Sequence, residues 1–215
     1  MSSPDPDVDA ASAAATADAG TTELPTGGTV RPMTRWGTDV MHRVNEPVTE
    51  FDDELRSLVA DMTATMYAAD GVGLAACQIG VDRQVFVFDC PDADGVHHRG
   101  VVCNPDVVVP EGKDRRLDDG EEGCLSFPGA FVGCPRPDYA VVTGQGLDGE
   151  PVRYDGTGLL ARCLQHETDH CKGTVFGDRL NRRAYKKLQK QMEAAAEDYP
   201  LDWPAGSTAS SDGSS

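Results

Sequence analysis

Two histidines and a glutamate near residue 167 have the spacing of a hydrolytic metal site. His166 and His170 are four residues apart, so on a helix both imidazoles lie on one face, one turn apart, and reach a single divalent ion. Glu167 lies about 100° round the helix from His166, where its carboxylate can contact an activated water without binding the metal. The pattern predicts metal-assisted hydrolysis. The alternative is a surface helix with an incidental histidine pair.

A catalytic site of this type needs a third protein ligand and one open position. No histidine follows His170, and Glu193 and Glu197 belong to a different helical pattern. Upstream, Cys124 lies in the segment Glu122-Gly-Cys-Leu-Ser126, and its thiolate would complete a Cys-His-His site. The alternative for Cys124 is a small buried core residue, because free cysteines usually pack in that way.

A third segment, Gly71-Val-Gly-Leu-Ala-Ala-Cys-Gln78, is rich in glycine and alanine. Such residues suit a place where another backbone or a substrate comes close. The Gln78 amide can polarise a carbonyl or stabilise an oxyanion. Gly71 itself also fits the end of the helix that precedes it.

These three segments, in this order and spacing, resemble the motifs of the peptide deformylases, and the resemblance covers roughly residues 31–190. It implies that Cys124, His166 and His170 bind one divalent metal ion, ferrous iron foremost, with Zn²⁺, Ni²⁺ or Co²⁺ as substitutes. A water activated by the metal then attacks the formyl carbon of an N-formyl-methionyl nascent peptide, giving formate and a free amino terminus. Catalytic roles fall, by resemblance, to Glu167 as proton carrier and to Gln78 and the Leu125 backbone N–H as oxyanion donors.

The resemblance also implies a substrate peptide that lies extended and pairs with the protein backbone as an added strand. The matching positions for substrate binding are Val72, Gly73 and Gly123. Leu159 and Cys163 precede His170 on the predicted helix face and are candidates for the methionine pocket. Ordinary core packing is the alternative for these two side chains.

Two positions depart from the family pattern. Phe131 stands where many bacterial members carry an arginine that contacts substrate, although Arg136, a few residues on, does match a family position. Cys171 replaces the usual aliphatic residue, and we interpret it as a small apolar substitute.

Charge and composition divide the chain into a core and two tails. Residues 1–29 contain five acids and no base, and residues 200–215 contain two acids. We expect both to be disordered, with a single metallohydrolase domain over residues 30–199. The tails hold 7 of the 17 net negative charges, and the acidic core argues against nonspecific nucleic-acid binding. The chain shows neither a secretory signal nor a membrane span, so we expect a cytoplasmic protein with reduced cysteines.

The order of predicted elements indicates an α+β fold, with short mixed or antiparallel sheets around a central metal-binding helix and a C-terminal helix. Phe51–Ala69 has an apolar face, and Thr49 with Asp52 resembles a capping box. The metal-site helix follows Thr157 and stops near Gly173, and the last helix runs from about Asn181 to Glu197. Predicted strands are Gln84–Asp89, Gly100–Cys103, Val107–Val109, Tyr139–Thr143 and Val152–Tyr154.

One basic cluster runs against the acidic average. It consists of Arg179, Arg182, Arg183, Lys186, Lys187 and Lys190. A solvated helix face is the simpler interpretation. The alternative is a helix that docks on ribosomal RNA near the nascent-chain exit.

Two other functions compete with deformylation. A zinc endopeptidase of the His-Glu-x-x-His type would cut unformylated peptides and would take a third ligand other than Cys124. A binding module for formyl-methionine without catalysis would need a broken motif, whereas Glu167, Gln78 and all three ligand positions are intact.

Overall fold

A computed structural model describes residues 22–206 of the chain. Its helices are α1 (Asp53–Ala68), α2 (Gly158–Cys171), α3 (Phe176–Arg179) and α4 (Arg182–Ala194). Its strands are β1 (Gly73–Ala75), β2 (Val85–Pro91), β3 (His97–Val108), β4 (Leu117–Asp118), β5 (Glu121–Gly123), β6 (Phe131–Gly133), β7 (Arg136–Pro137), β8 (Tyr139–Gln145) and β9 (Pro151–Thr157). The predicted α+β class is confirmed.

The main sheet has the order β1-β2-β3-β8-β9, and two small sheets pair β4 with β7 and β5 with β6. Every strand pair is antiparallel. The two strands predicted at Gly100–Cys103 and Val107–Val109 are one strand, β3, which is interrupted by a bulge between Cys103 and Asp106. A bulge bends a strand and breaks its regular alternation, which explains why the sequence pattern divided it in two.

Alternating residues of β2 supply the two halves of the core. Phe86 and Phe88 pack with Leu160 and Leu164 of α2, whereas Val87 belongs to the cluster formed with α1. Successive strand side chains point to opposite faces of a sheet, so α1 and α2 lie on opposite faces of the main sheet. Helix α2 is also covered by the small sheets, and its residues from Leu160 to Cys171 are all buried.

Helix ends agree with the sequence except at the end of α4, which stops at Ala194 rather than near Glu197, and at the start of α1. Asp52 is the N-cap there, and its side chain accepts a hydrogen bond from the Leu55 backbone N–H at 3.0 Å. The predicted capping box between Thr49 and Asp52 is therefore wrong, because the helix begins three residues later than that motif requires. Asn181 caps α4 by accepting from two backbone N–H groups.

Both ends of the described chain pack against the domain. The Thr22 backbone N–H donates to the Arg99 carbonyl oxygen at 3.1 Å, Leu24 is buried, and Trp203 packs on the core cluster beside α1. The packed part of the chain thus extends beyond residues 30–199 on both sides. The remaining residues of the two predicted tails, 1–21 and 207–215, lie outside the described range. No helix within residues 22–206 is both long enough and apolar enough to cross a membrane.

Candidate metal centre and active site

Helix α2 places the two predicted histidine ligands, His166 and His170, next to the third predicted ligand, Cys124. The His170 Nε2 atom lies 3.1 Å from His166 Nε2 and 3.3 Å from Cys124 Sγ, and the three donor atoms all lie within 4.8 Å of one another. Metal–nitrogen and metal–sulfur bonds of 2.0–2.3 Å place the donors of a tetrahedral ion roughly 3–4 Å apart. The three residues are therefore spaced to hold one divalent ion, with a fourth position left for water.

Glu122 fixes the orientation of the His166 ring. Its Oε1 atom lies 2.7 Å from His166 Nδ1, so the opposite nitrogen, Nε2, is directed at the other two donors. An outer carboxylate of this kind orients a metal-binding histidine and raises the basicity of the imidazole. Burial opposes ionisation of Glu122, but hydrogen bonds from Arg136 and His166 outweigh it and hold the pKa of Glu122 below its usual range.

Two buried arginines neutralise Glu122. Arg136 donates from Nε and Nη2 to the two carboxylate oxygens at 2.9 and 2.6 Å, and its Nη1 reaches Asp169 at 2.7 Å. Arg162 donates to Glu122 Oε2 at 2.8 Å and to the Cys134 carbonyl oxygen at 2.7 Å. Bidentate pairing satisfies both oxygens of a buried carboxylate, so the charge beside His166 is fully compensated.

Glu167 is buried beside the ligands without a full set of partners. Within residues 22–206, its Oε2 atom has no hydrogen-bond partner. Burial raises the pKa of Glu167 to about 7; the neighbouring Glu122 carboxylate adds to the rise, and the charges of His166 and Arg136 oppose it. A carboxyl group with a pKa near neutrality is suited to both accepting and releasing a proton.

Gly73 lies directly against Glu167. A Cβ atom at position 73 would be 2.5 Å from Glu167 Oε1 and 2.8 Å from Cys163 Sγ. Only a residue without a side chain fits there, which explains why the sequence carries glycine on a strand.

Gln78 is held with its amide nitrogen towards the metal ligands. Its Oε1 accepts from the Ala75 backbone N–H at 2.9 Å, while Nε2 lies 3.5 Å from Cys124 Sγ and 3.4 Å from Ser126 Oγ. The contact with Ser126 is long for an oxygen acceptor, so one N–H group can turn to donate to a substrate oxygen. Among residues 22–206, the Leu125 backbone N–H has no hydrogen-bond acceptor.

The substrate-binding candidates line one cavity of about 530 Å³. Two backbone edges border it, because β1 is an edge strand of the main sheet and β5 pairs only with β6. The Val72 carbonyl oxygen accepts from the Asp89 backbone N–H at 2.9 Å and from the Cys163 thiol at 3.6 Å. Within residues 22–206, the Val72 backbone N–H donates to no acceptor, so it is open to a ligand. Candidates on the lining are Val72, Gly73, Gly123, Leu159 and Cys163.

Cys163 is a neutral thiol of the cavity wall. A hydrogen bond with Cys90, followed by burial, raises the pKa of Cys163 well above its usual range. It is therefore poorly suited to act as a metal ligand, since that role requires a thiolate.

Several residues of the site had no role in the sequence interpretation. Glu122 was given no role from the sequence, although this residue begins the motif that contains Cys124. Its position two residues before Cys124 could have indicated a place beside the metal ligands. Arg162 lies four residues before His166. This spacing puts both side chains on one face of a helix, and it is the only feature of the sequence that relates Arg162 to the site. Tyr199 and Trp203 also line the cavity, and no local pattern marks either of them.

Comparison with known proteins identifies the family. Residues 30–186 match the family model described as polypeptide deformylase. The chain belongs to this family. It is 53% identical over 174 residues to peptide deformylase 1 of Streptomyces avermitilis, an alignment that covers 81% of each chain. It is 51% identical over 170 residues to peptide deformylase 2 of the same organism, covering 79% of this chain and 90% of that relative.

Solved deformylase structures share the fold. The peptide deformylase of Legionella pneumophila has a TM-score of 0.69 at 35% identity and covers 79% of this chain and 96% of its own. The enzyme of Synechococcus elongatus, solved in complex with actinonin, has a TM-score of 0.67 at 34% identity, with 86% and 95% covered. The activity of the chain is therefore that of a metal-dependent amide hydrolase, a peptide deformylase, and the zinc endopeptidase alternative is not favoured.

Proposed function

We propose that this chain removes the formyl group from N-formyl-methionyl ends of newly made polypeptides, using Cys124, His166 and His170 as metal ligands and Glu167 as the proton carrier. The observation that carries the proposal is the convergence of a Cys-His-His donor set and a buried carboxylate on one cavity. A divalent ion bound by the three ligands would supply Lewis-acid chemistry, lowering the pKa of water and polarising the formyl carbonyl.

The remaining steps belong to side chains and backbone of the protein. Glu167 accepts a proton from the attacking water and then gives it to the leaving amine nitrogen as the C–N bond breaks. Negative charge on the formyl oxygen is stabilised by donation from Gln78 Nε2 and the Leu125 backbone N–H. The water oxygen remains on the formyl carbon, so the products are formate and a free amine.

The peptide lies extended between the two strand edges that border the cavity. The Val72 N–H and the backbone of Gly123 pair with the main chain of the substrate, in the manner of an added strand. The methionine side chain contacts Leu159 and Cys163. Gly73 allows strand β1 to lie directly against the Glu167 carboxylate.

Formate release from formyl-Met-Ala-Ser tests the reaction and the role of Glu167 together. Protein purified anaerobically with ferrous iron is compared with Glu167→Ala, which we expect to lose about 10²–10⁴-fold in kcat while retaining metal. The unformylated peptide Met-Ala-Ser is the matched control, and its cleavage would instead indicate an endopeptidase. Equal formate release by wild type and Glu167→Ala would refute the acid–base assignment.

We further propose that ferrous iron is the physiological ion. One thiolate and two imidazoles also suit zinc, nickel and cobalt, so availability decides among them; the family resemblance supports iron. Metal analysis of protein isolated anaerobically from cells grown without added metal should give iron as the dominant ion, with formate release falling after exposure to air. Zinc as the dominant ion, with undiminished activity in air, would contradict the proposal.

A docking role on the ribosome is proposed for the basic face of α4, in keeping with a cytoplasmic enzyme that acts on nascent chains. The exposed bases on this face are Arg182, Arg183, Lys186, Lys187 and Lys190. Arg179, the sixth member of the predicted cluster, lies on α3 and forms an ion pair with Asp169, so its charge is partly committed. Clustered lysine and arginine side chains bind phosphate backbones through charge.

Charge reversal tests the docking proposal. Changing Arg182, Arg183, Lys186 and Lys187 to glutamate should weaken co-sedimentation with ribosomes at low salt and leave peptide turnover intact, because none of these side chains lines the cavity. The control is a variant in which three other exposed bases are changed to glutamate. These are Lys113, Arg115 and Arg116, in the loop before β4. Equal sedimentation of both variants and wild type would contradict docking through α4.

A further inference from the structure

The chain after α4 returns to the cavity. We call residues 195–206 the C-terminal segment. Two residues near the start of the domain hydrogen-bond to it. The Met33 backbone N–H donates to the Trp203 carbonyl oxygen at 2.8 Å. The Arg35 guanidinium donates to the carbonyl oxygens of Tyr199 and Pro200 at 2.7 and 2.8 Å. The backbone of the segment is therefore held by hydrogen bonds, in addition to the packing of the Trp203 side chain on the core.

Two aromatic side chains of the C-terminal segment form part of the cavity wall. The Tyr199 and Trp203 rings meet edge to face with centroids 4.9 Å apart, and both line the cavity. The Tyr199 ring packs on Gly129, where a Cβ atom would lie 2.9 Å from Tyr199 Cε2. Gly129 belongs to the loop that follows Cys124, so the aromatic pair is attached to the same loop that provides one metal ligand.

Further apolar groups border the same opening. Val72 is 40% exposed, Leu159 is 41% exposed and Phe131 is 55% exposed, and all three line the cavity. Exposed apolar groups gathered at one opening mark a binding surface. Phe131 lies against Gly123, where a Cβ atom would overlap its ring, so an aromatic side chain occupies the position at which the family resemblance implied an arginine.

The aromatic pair is separate from the groups around the metal site. Leu159 and Cys163 are carried by α2, one or two turns before the ligands. Tyr199 and Trp203 are carried by a different segment, whose backbone accepts hydrogen bonds from Met33 and Arg35. The matched family region ends at residue 186, so this wall lies outside the part of the chain that the family model describes.

We propose that Tyr199 and Trp203 form an aromatic subsite that selects large apolar side chains at the second and third residues of the substrate, after the formyl-methionine. The inference rests on the proposed function, since it assigns the outer part of the same cavity. Rings held edge to face on an anchored backbone contact apolar side chains with little loss of conformational freedom. An acidic residue at these positions would lose hydration against an apolar wall.

A comparison of two substrates within each variant tests the subsite. The quantity measured is the ratio of kcat/KM for formyl-Met-Leu-Phe to that for formyl-Met-Ser-Ser. We expect this ratio to fall about tenfold in Tyr199→Ala and Trp203→Ala, mainly through KM for the first peptide, and to recover in Tyr199→Phe. Leu201→Ala is the matched control, because Leu201 belongs to the same segment, is 85% exposed and does not line the cavity.

The ratio separates a role in selection from a role in folding. A partly unfolded variant loses the same fraction of active molecules for both peptides, which leaves the ratio unchanged. A ratio equal to that of wild type in both alanine variants would overturn the subsite while leaving deformylation in place. Release of formate from neither peptide by metal-loaded wild type would overturn the proposed function itself.

Discussion

Glu122 connects the metal site to the buried charges around it. Its carboxylate contacts His166, Arg136 and Arg162 at once, with every contact between 2.6 and 2.9 Å. Removing one partner from a buried ion pair leaves the other charge uncompensated. A single side chain therefore supports both the orientation of a ligand and the folding of the region around it.

Replacing Glu122 by glutamine should weaken both properties. The variant keeps the volume but loses the charge, so we expect the affinity for Zn²⁺ to fall about 10–100-fold. The free energy of unfolding should fall by about 3–5 kcal/mol, because two buried arginines lose one of their two counter-ions each. Competition with a chelator and urea titration measure the two effects.

Glu121→Gln is the control for this substitution, because the Glu121 side chain is exposed and its nearest cation, Lys187, is 3.7 Å away. A surface pair of that kind contributes about 0–1 kcal/mol. Equal metal affinities in the two variants would show that Glu122 does not position His166.

At the scale of elements, strand β1 limits the space that the Glu167 carboxylate can occupy. Gly73 has ordinary extended backbone, so alanine there would strain no dihedral angle. The obstacle is space, since a methyl group would lie 2.5 Å from Glu167 Oε1. The carboxylate, the neighbouring thiol or the strand must then move.

Gly73→Ala should lower kcat strongly, by about 10²-fold, because a shift of roughly 1 Å at a catalytic group is enough for such a loss. Gly133→Ala in strand β6 is the matched control, since a Cβ there meets only the Asp119 carbonyl oxygen at 3.4 Å. Formate release and thermal unfolding of both variants provide the measurement. Unchanged turnover in Gly73→Ala would show that Glu167 tolerates displacement.

The elements divide into those that the sequence could predict and those that it could not. Helix α2 was predictable because two ligands four residues apart, a helix stop and an apolar stripe agree. Strand β1 was not, since the three residues Gly73–Ala75 are too few to show an alternating pattern and form a strand by pairing with β2. The wall at Tyr199 and Trp203 depends on contacts with Met33 and Arg35, more than 160 residues away along the chain, and no local pattern records such contacts.

For the whole molecule, the two core clusters separate stability from metal binding. Met62 of α1 belongs to the cluster on one face of the main sheet, and Leu164 of α2 belongs to the other, together with Cys124 and Cys163. Both side chains are fully buried. Of the two clusters, the second contains a proposed metal ligand, Cys124, whereas the first reaches only the cavity wall, through Ala69, Leu125 and Trp203.

We therefore expect Met62→Ala and Leu164→Ala to have similar effects on the free energy of unfolding and different effects on metal binding. We expect each to lower the free energy of unfolding of the metal-free protein by about 2–5 kcal/mol. Leu164→Ala should also weaken Zn²⁺ binding by the folded protein. The substitution leaves a cavity beneath α2, so this helix can shift and displace His166 and His170. Urea titration and metal competition measure the two effects, and equal weakening of metal binding by both variants would contradict the separation.

The two edge strands of the main sheet, β1 and β9, have features that reduce aggregation. An unpaired strand edge can join a second copy and begin aggregation, and short or charged edges resist this. Strand β1 has only three residues, all of them buried, so it offers a neighbouring molecule little edge to pair with. Strand β9 begins at Pro151 and carries Arg153 and Asp155, which discourage pairing at the other side. The edge at which we propose that the peptide binds is thus too short to favour pairing with another copy of the chain.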